Sequence, residues 1–411
     1  MMRSLFAGVS GLRNHQIRMD VIANNIANVN TTAYKMARVT FQDLFYQTLR
    51  GASAPQGDIG GTDPIQVGLG MIIGGINTIH TPGNFQYTGN PTDFAIQGDG
   101  FFIVTDGIKN YYTRDGAFSI GLDGSLVNPS TGYKVLGWRA NNLGVIDNSM
   151  PVEPIVIPMG QQMMARATSN VKVIGNLDAQ SDVGTTFSAP TTVYDSLGVS
   201  HTLIFTFEKN NTNQWMVTAS IDGTDITDWS STIVFNSNGS YDASNSVINS
   251  LNIPASLFNP GAADLNINSD FSNITQLGGS TSISVSYQDG YPMGSLIDFT
   301  VSTNGIITGI YSNGLNQVLG QIALATFGNP GGLTRVGSNL FEASVNSGEP
   351  LIGSPNTGSR GSLYIGALEM SNVDLASEFT NMIITQRGFQ ANSRVITTSD
   401  EMLQELVNLK R

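Results

Sequence analysis

Residues able to carry out catalysis are scarce in this sequence. It has three histidines, His15, His80 and His201, and no cysteine. Without cysteine there are no disulfides, thiolate metal sites or cysteine nucleophiles. The histidines lie 65 and 121 residues apart, which fits no metal-binding motif, and no phosphate-binding loop opens a helix. The sequence therefore predicts no catalytic, cofactor or metal site, and the chain is not expected to be an enzyme.

Acidic residues form the remaining candidate cluster. Asp93, Asp99, Asp106 and Asp115 lie close together in the sequence. Paired carboxylates can act as general acid and base, or as calcium ligands. All but the first directly precede a glycine, and aspartate at such positions commonly supports a tight turn. The turn interpretation is therefore favoured over a catalytic or calcium site.

Two other candidates also have structural explanations. His15 lies one position from the apolar stripe of a predicted helix, so it is expected to be a polar residue within helix packing. The aromatic pairs Phe101–Phe102 and Tyr111–Tyr112 lie in β-forming runs. They are interpreted as β core and not as a platform for stacking sugars or bases.

Composition restricts the class of partner. The chain has 411 residues, a net charge of −12 and only 12% charged residues. An acidic, weakly charged chain disfavours nucleic acid and anionic membranes. No apolar run approaches the roughly 20 residues that span a bilayer, and the start of the chain lacks the pattern of a cleaved signal peptide. We therefore expect no membrane insertion, and either a soluble protein or export without a cleaved signal.

The two ends of the chain carry helical patterns that differ from the middle. Apolar residues of the first end recur every seven positions, at Leu5, Leu12, Met19 and Ile26. Those of the last end follow a spacing of three and four, at Leu375, Phe379, Met382, Phe389, Ile396, Leu403 and Val407. The spacing predicts helices at 1–28 and 372–411, and Asp374 and Glu378 suit the first turns of the second helix.

The region between the helices has β patterns. Short β-forming runs alternate with Asp-Gly and Asn-Gly turn dipeptides, which predicts an all-β body with tight turns. Residues 50–70 are rich in glycine and proline and are expected to form a linker or extended loop. Residues 160–290 are rich in Ser, Thr, Asn and Asp, which indicates an inserted, exposed β domain.

The terminal helices need a partner for an apolar stripe about 50 Å long. They could form an intramolecular antiparallel pair, or they could stay unburied in the monomer and pack against neighbouring subunits. Chain ends are easily left disordered, and isolated helices gain most of their stability from packing, which favours the second arrangement. A heterologous, non-closing contact of this kind builds a helical filament.

Three sequence blocks resemble a known family. The first is Ser10–Gly11–Leu12 with IANNIANVNTTAYK at 22–35, which contains the motif Asn24, Asn25, Ile26, Ala27 and Asn28. The second covers GNPTDFAIQGDGFFIV at 89–104, YTRDGAFSIGLDGSLVN at 112–128 and GYKVLGW at 132–138. The third is the segment 371–409. Together these blocks resemble the rod and hook proteins of the bacterial flagellar axis, and the chain length and the insert at 160–292 resemble the hook branch.

The resemblance implies a layered fold, mainly β with long helical termini. Helices 1–28 and 372–411 would form an inner coiled-coil layer. Residues 29–75 would link that layer to a discontinuous inner β domain, 76–159 with 293–371. Residues 160–292 would form an outer inserted domain. Crosslinking through cysteine, found in some hooks, is excluded here because the chain has none.

The resemblance also implies a function in cell motility. The chain would be a structural subunit that polymerises with itself into a curved, flexible, hollow tube, which acts as a universal joint between rod and filament and as a channel for exported subunits. Its partners would be rod proteins below, hook-filament junction proteins above, the hook cap and the type III export apparatus, and its location the extracellular hook. Asn392, Thr397 and Thr398 are candidates for the lumen wall.

Rival functions remain. Within the family, a distal rod or related rod protein is the alternative, and its lack of a large insertion is the expected discriminator. A surface adhesin is a third class, favoured only by the Ser/Thr/Asn-rich insert. An adhesin would not account for heptad-patterned helices at both ends.

Overall fold

A computed structural model describes residues 2–55, 60–141, 144–160, 162–258 and 261–409. Within these residues the long helices are α1 (Met2–Ala27) and α2 (Leu375–Asn408), and β-strands fill most of the chain between them. The predicted class, mainly β with long helical termini, is confirmed.

The described chain divides into two compact units. Unit 1 comprises 1–157, 300–308 and 318–411, and unit 2 comprises 158–299 and 309–317. The insertion expected at 160–292 thus lies in unit 2, but this unit also takes residues that were assigned to the inner β domain. The reason is a returning pair of strands, in which the Ser312 amide donates to the Ser295 carbonyl at 2.9 Å.

The strands are numbered in chain order. Those up to residue 157 are β1 (Ala37–Asp43), β2 (Tyr46–Arg50), β3 (Ile65–Gly68), β4 (Met71–Thr78), β5 (Phe85–Tyr87), β6 (Phe94–Gln97), β7 (Phe101–Thr105), β8 (Asn110–Thr113), β9 (Ser119–Ile120), β10 (Leu126–Val127), β11 (Lys134–Arg139) and β12 (Glu153–Pro154). The next are β13 (Gln162–Met163), β14 (Asn170–Asp178), β15 (Thr186–Tyr194), β16 (Ser200–Asn211), β17 (Gln214–Ile221), β18 (Thr224–Val234), β19 (Leu251–Ile253), β20 (Leu265–Leu277), β21 (Ser284–Gln288) and β22 (Gly294–Val301). The last are β23 (Ile306–Tyr311), β24 (Asn316–Ile322), β25 (Leu324–Thr326), β26 (Thr334–Gly337), β27 (Leu340–Glu342), β28 (Leu351–Gly353), β29 (Ser362–Ile365) and β30 (Ala367–Glu369). Short 3-10 helices lie at Ala255–Leu257 and Pro330–Gly332.

Local sequence explains where the long helices stop and start. Asp374 caps α2, because its carboxylate accepts the backbone amide of Ala376 at 3.0 Å. Glu378 stands in the first turn, where the helix dipole favours a negative charge. α1 ends at Ala27, and the chain then turns through Ala33, whose φ of 56° lies in the left-handed region. The Ala33 amide donates to the Glu369 carbonyl at 2.7 Å, so the turn fixes the end of α1 to the strand that precedes α2.

The segment expected as a linker at 29–75 contains two pairs of β-strands. β1 pairs antiparallel with β4, and β2 pairs antiparallel with β3. The first pair lies along α1, where the Asn14 side chain donates to the Met71 carbonyl at 2.6 Å. The second pair is exposed on both faces. Its strands are only five and four residues long and flank a glycine- and proline-rich run. The sequence analysis therefore did not predict them.

The β body of unit 1 is built around β7. This strand pairs with β8, β11 and β25, and the register sets Ile103 opposite Tyr112 and Val104 opposite Val135. β7 is buried on both faces over Phe101–Val104, and its sequence is accordingly a continuous apolar run. Aromatic side chains dominate the core around it, with Phe101, Tyr112, Trp138, Phe327 and Phe341 among its members.

Unit 2 has its own hydrophobic core between two four-stranded sheets. One sheet has the order β15–β16–β17–β18 and the other β19–β20–β14–β21. Alternate residues of β17 are buried, at Trp215, Val217, Ala219 and Ile221, as a strand with one face on the core requires. The predicted aromatic and β-branched runs therefore form a sandwich that buries Trp215 completely.

Candidate functional site: the terminal helix pair

α1 and α2 form an antiparallel pair within one chain. Ser4 lies against Ser399, with their hydroxyls 3.4 Å apart, and Arg18 donates to the Asn381 side chain at 3.5 Å. Residue numbers thus rise along α1 as they fall along the facing part of α2. The intramolecular pair, which the sequence analysis considered but did not favour, is thus present in the structure.

The buried face of α1, which contacts α2 and the strand pair β1–β4, is not the apolar heptad. Its buried residues are Gly8, Gly11, Asn14, Ile22 and Asn25. The predicted heptad residues of α1 are only half-buried; they are Leu5, Leu12, Met19 and Ile26. The pair therefore closes on small and polar side chains and leaves the apolar stripe to one side.

Glycine allows the helices to approach closely. A Cβ atom added at Gly11 would lie 2.7 Å from the Asn392 side chain, and one at Gly8 would lie 3.2 Å from Ile396. On α2, a Cβ at Gly388 would lie 2.8 Å from the His15 ring. His15 also meets Phe41 edge-on, with ring centroids 5.5 Å apart. Its predicted role in helix packing is confirmed.

The facing side of α2 is polar at seven-residue intervals. Glu378, Thr385 and Ser399 are its buried residues, and Asn392 completes the series. Thr385 and Ser399 donate to the carbonyls four residues earlier, at 2.7 Å each. We call this series, with the buried face of α1, the polar seam. The contacts that join the two helices, Ser4 with Ser399, Arg18 with Asn381 and Asn25 with Glu378, are polar as well and set the register of the pair.

Apolar side chains are exposed along the rest of the pair. On α1 these are Met2, Phe6 and Val9, and on α2 they are Leu375, Phe379, Ile383, Ile384, Phe389, Val395, Met402, Leu406, Val407 and Leu409. Four of the predicted assembly residues belong to this set. The other predicted residues of α2, Met382, Ile396 and Leu403, are half-buried. Exposed apolar side chains in this number commonly mark an interaction site.

The motif at residues 24–28 anchors the root of the helix pair. Asn25 is completely buried and donates to the Ala37 carbonyl at 2.8 Å and to the Glu378 carboxylate at 3.0 Å. Its side-chain oxygen accepts from the Tyr34 hydroxyl and the Ala37 amide. Asn24 donates to the Tyr34 hydroxyl, and Asn28 donates back to the Asn24 carbonyl. Ile26 is half-buried and Ala27 exposed, so the asparagines carry the structural role.

Sequence reasoning missed a buried ionic cluster just beyond this motif. Lys35 lies 2.6 Å from the Glu369 carboxylate, and Arg114 lies 3.4 Å from its other oxygen. All three side chains are at most 2% exposed. Burial lowers the pKa of Lys35, and the adjacent carboxylate offsets part of that effect. The cluster joins three segments: the chain after α1, the β body, and the strand before α2.

His80 lies near this cluster as a neutral ring. Burial and the nearby charges of Lys35, Arg114 and Arg335 lower the pKa of His80 to about 4. The ring meets Phe101 and Phe341 edge-on at 5.5 and 5.3 Å. It therefore belongs to the aromatic core and not to a catalytic site.

The three lumen candidates have different surroundings. Asn392 lies in the polar seam against Gly11, with its side chain donating to the Gly388 carbonyl at 2.9 Å. Thr397 and Thr398 are exposed, and both hydroxyls donate to the Arg394 carbonyl. The two threonines are therefore more exposed than Asn392 in the single chain.

Two of the four candidate aspartates, Asp106 and Asp115, support turns as predicted. Asp106 accepts the amides of Ile108 and Lys109, and Asp115 accepts the amide of Ala117. The described residues contain no group of three or more His, Asp or Glu side chains arranged to hold a metal. Phe101, Phe102 and Tyr112 are buried, which confirms the core interpretation for these three aromatics. No helix among the described residues is both long and apolar enough to cross a membrane.

Family models match four parts of the chain. Residues 5–35 match "Flagella basal body rod protein" and residues 365–409 match "Flagellar basal body rod FlgEFG protein C-terminal". Residues 95–175 match "Flagellar hook protein FlgE/F/G D1 domain", and residues 165–291 match "Flagellar basal body protein FlaE D2 domain". The matches at the two ends include α1 and α2.

Curated relatives match over the full length. The flagellar hook protein FlgE of Borreliella burgdorferi is 43% identical and that of Treponema pallidum 41% identical, each over 100% of both chains. The chain belongs to the flagellar hook protein family. Salmonella typhimurium FlgE is 34% identical over 99% of this chain and all of its own. The solved structure of Helicobacter pylori FlgE2 has a TM-score of 0.54 at 16% identity over 69% of this chain and all of its own, which shows a shared fold.

A rod protein of similar length also matches the whole chain, which bears on the use of length and the insert to separate hook from rod. The flagellar basal-body rod protein FlgG of Bacillus subtilis is 32% identical over 100% of both chains. Length and the insertion therefore do not separate hook from rod here. The 43% and 41% identities to the Borreliella burgdorferi and Treponema pallidum hook proteins exceed the 32% of the rod protein and favour the hook. Both groups of relatives place the chain in the bacterial flagellum with a structural role.

Proposed function

We propose that this chain is the structural subunit of a flagellar hook and polymerises through its terminal helices into a curved, flexible, hollow tube. The observation that carries the proposal is the polar seam. α1 and α2 meet through Gly8, Gly11, Asn25 and Glu378, while apolar residues such as Phe6 and Phe379 stay exposed. The intramolecular pair sets register, and neighbouring copies supply the apolar burial.

Energetics favour this division. Burying a large apolar side chain contributes roughly 1.5–3 kcal/mol. Covering the exposed apolar side chains of the pair by neighbouring copies would therefore strongly favour assembly. The polar seam contributes mainly hydrogen bonds, each worth about 1 kcal/mol net. A helix pair of this kind gains most of its stability when several neighbours cover it.

The layered arrangement follows as part of the proposal. Helices 1–28 and 372–411 form the inner layer, 29–75 connect it to the inner β domain at 76–159 and 293–371, and 160–292 form the outer surface. Outer contacts set curvature. A chain with only 12% charged residues and many Ser, Thr and Asn side chains offers exchangeable polar contacts instead of fixed ion pairs. Such contacts suit subunits that slide during each revolution of a universal joint.

The tube also serves as a channel. Thr397 and Thr398 present uncharged hydroxyls on an exposed part of α2, and such a wall would neither bind nor repel unfolded subunits in transit. The proposed partners are other copies of the chain, rod proteins below, junction proteins above, the cap and the export apparatus. The proposed location is the extracellular hook, reached without a cleaved signal peptide.

Sedimentation and electron microscopy of the full chain test the proposal. We expect hollow tubes from the unmodified chain and none from Phe379→Asp, because Phe379 is 51% exposed on α2. Val183→Asp is the matched control, since it puts the same charge on an exposed valine of unit 2. Tubes of unchanged yield from Phe379→Asp would contradict assembly through the helices.

The rod function is the second candidate, supported by the full-length match to the Bacillus subtilis rod protein. Gold-labelled antibody against this chain, applied to isolated basal bodies with hooks attached, separates the two. Label on the curved segment supports the hook, and label confined to the straight rod supports the alternative.

A further inference from the structure

The register of the helix pair leaves one end of α2 without a partner. Ser4 faces Ser399, so the first described residue of α1, Met2, comes opposite residue 401. α2 continues to Asn408. We call Met402–Leu409 the α2 tail. No part of the described α1 lies opposite it.

The α2 tail carries exposed apolar side chains, of which Met402, Leu406 and Leu409 share one helix face, and it has acidic residues near its start. Met402 and Leu406 are each 49% exposed, Val407 65% and Leu409 83%. Glu401 and Glu405 are also exposed, and neither has an ion-pair partner among the described residues. Lys410 and Arg411 follow in the sequence, outside the described residues.

A complementary surface lies on the outer side of α1. Met2, Phe6, Val9 and Arg13 are spaced by three or four residues, so they share one helix face. All four are exposed, and Arg13 has no ion-pair partner among the described residues. We call these four residues the α1 outer face. It combines an apolar strip with a cation, as the α2 tail combines an apolar strip with carboxylates.

We propose that the α2 tail of one copy docks on the α1 outer face of a second copy, with its apolar side chains on Phe6 and Val9 and Glu405 beside Arg13. The inference rests on the proposed function and deepens it, since it assigns one of the contacts that polymerisation requires. The contact is heterologous: each copy contributes the tail to one neighbour and the outer face to another. Such a contact does not close on itself and sustains growth of a filament.

The tail cannot satisfy the outer face of its own chain. Gly11 faces Asn392 and His15 faces Gly388, so Arg13 comes opposite residues near 390. Glu405 lies fifteen residues farther along α2, or about 22 Å at 1.5 Å per residue. Charge selects a second copy of this chain as the occupant. Residues 1–35 carry four basic residues against one acidic one, whereas residues 400–411 carry three acidic residues against two basic ones, Lys410 and Arg411.

Charge reversal tests the pairing on the full chain. Arg13→Glu or Glu405→Arg alone should raise the critical concentration for polymerisation about fivefold or more, because each places like charges together. The double variant Arg13→Glu/Glu405→Arg should return close to the unmodified value. Asp225→Arg on unit 2 is the control, since it is an exposed acidic residue far from the helices in sequence. Single reversals without effect, or a double variant no better than either single one, would overturn the pairing.

Cysteine crosslinking gives a readout that does not depend on charge. The chain has no cysteine, so introduced pairs report only on themselves. Copies with Val9→Cys are mixed with copies carrying Met402→Cys, Leu406→Cys or Leu409→Cys, polymerised and oxidised. At least one mixture should form disulfide-linked heterodimers, because a disulfide needs Cα atoms within about 7 Å. Phe389→Cys, exposed on α2 but outside the tail, is the control.

The outcomes separate this inference from the proposed function. Tubes that form without any tail crosslink would overturn the tail contact and leave polymerisation standing. Failure of the unmodified chain to form tubes at all would instead contradict the proposed function.

Discussion

The buried side chain of Asn25 donates a hydrogen bond to the buried carboxylate of Glu378 at 3.0 Å, across the root of the helix pair. Asn381 lies 3.4 Å from the other oxygen of the same carboxylate. Because Asn25 also holds Tyr34 and Ala37, one asparagine couples α1, α2 and the chain that follows α1. This contact sets how the helices leave the β body.

Replacing Asn25 by Ala should loosen the root of the pair. The change leaves the Glu378 carboxylate buried with fewer donors, at a cost of about 1–3 kcal/mol or more. Hydrogen exchange of the amides at 22–37 should accelerate by at least about tenfold in the unassembled chain. Asn30→Ala, an exposed asparagine in the turn after α1, is the matched control and should leave exchange unchanged. Equal exchange in the two variants would show that the Asn25 contact is dispensable.

Removing the charge of Glu369 should be more disruptive than removing the whole ionic cluster. Glu369→Gln leaves Lys35 and Arg114 buried without their counter-charge, and breaking a buried pair in this way costs about 3–5 kcal/mol. The triple variant Lys35→Met/Arg114→Met/Glu369→Leu should recover part of that loss, because it removes the uncompensated charges. Calorimetric unfolding of the unmodified chain, Glu369→Gln and the triple variant ranks their stabilities. A triple variant less stable than Glu369→Gln would mean that hydrogen bonds such as that from Gly83 to Glu369, at 2.9 Å, outweigh the charge effect.

His80 should make stability depend on pH. Its pKa is about 4 in the folded protein, against 6.5 for an ordinary histidine. Between pH 4 and 6.5 the unfolded chain therefore binds more protons than the folded one. The contribution of His80 to the free energy of unfolding is thus fully present above pH 6.5 and is lost as the pH falls toward 4. The loss is on the order of 3 kcal/mol. In His80→Phe, the fall of the melting temperature between pH 6.5 and 4 should be smaller than in the unmodified chain, since the carboxylates titrate alike in both. Parallel pH profiles would contradict a neutral His80 in the core.

The sequence predicted the elements of the assembly site better than their packing. Apolar spacing placed both helices within a few residues of their observed limits. Asp374, expected within the first turns of α2, is instead the residue that caps it. The choice of packing face depends on residues such as Gly8 and Gly11, which let the two helices approach closely. Apolar periodicity carries no information about such an approach. The cluster of Lys35, Arg114 and Glu369 was missed because it joins three distant segments, and nothing local to any of them signals burial.

Unit 2 should control the curvature of the tube and not its formation. Val171 pairs with Gln288 across neighbouring strands, so the chain enters and leaves most of this unit at adjacent positions. A short Gly-Ser linker can therefore replace 171–288 and retain the contacts of Asp289 with the Ser169 and Asn170 amides, at 2.8 and 2.9 Å. If the helices hold the polymer and the outer surface sets its bend, this variant should still sediment as tubes, and electron microscopy should show them straight. A matched control shortens only the hairpin turn at Asp222–Gly223, which keeps the sandwich core and should keep the curvature. Monomers from the 171–288 replacement would show that unit 2 is needed for assembly, and curved tubes would show that the bend is set nearer the axis.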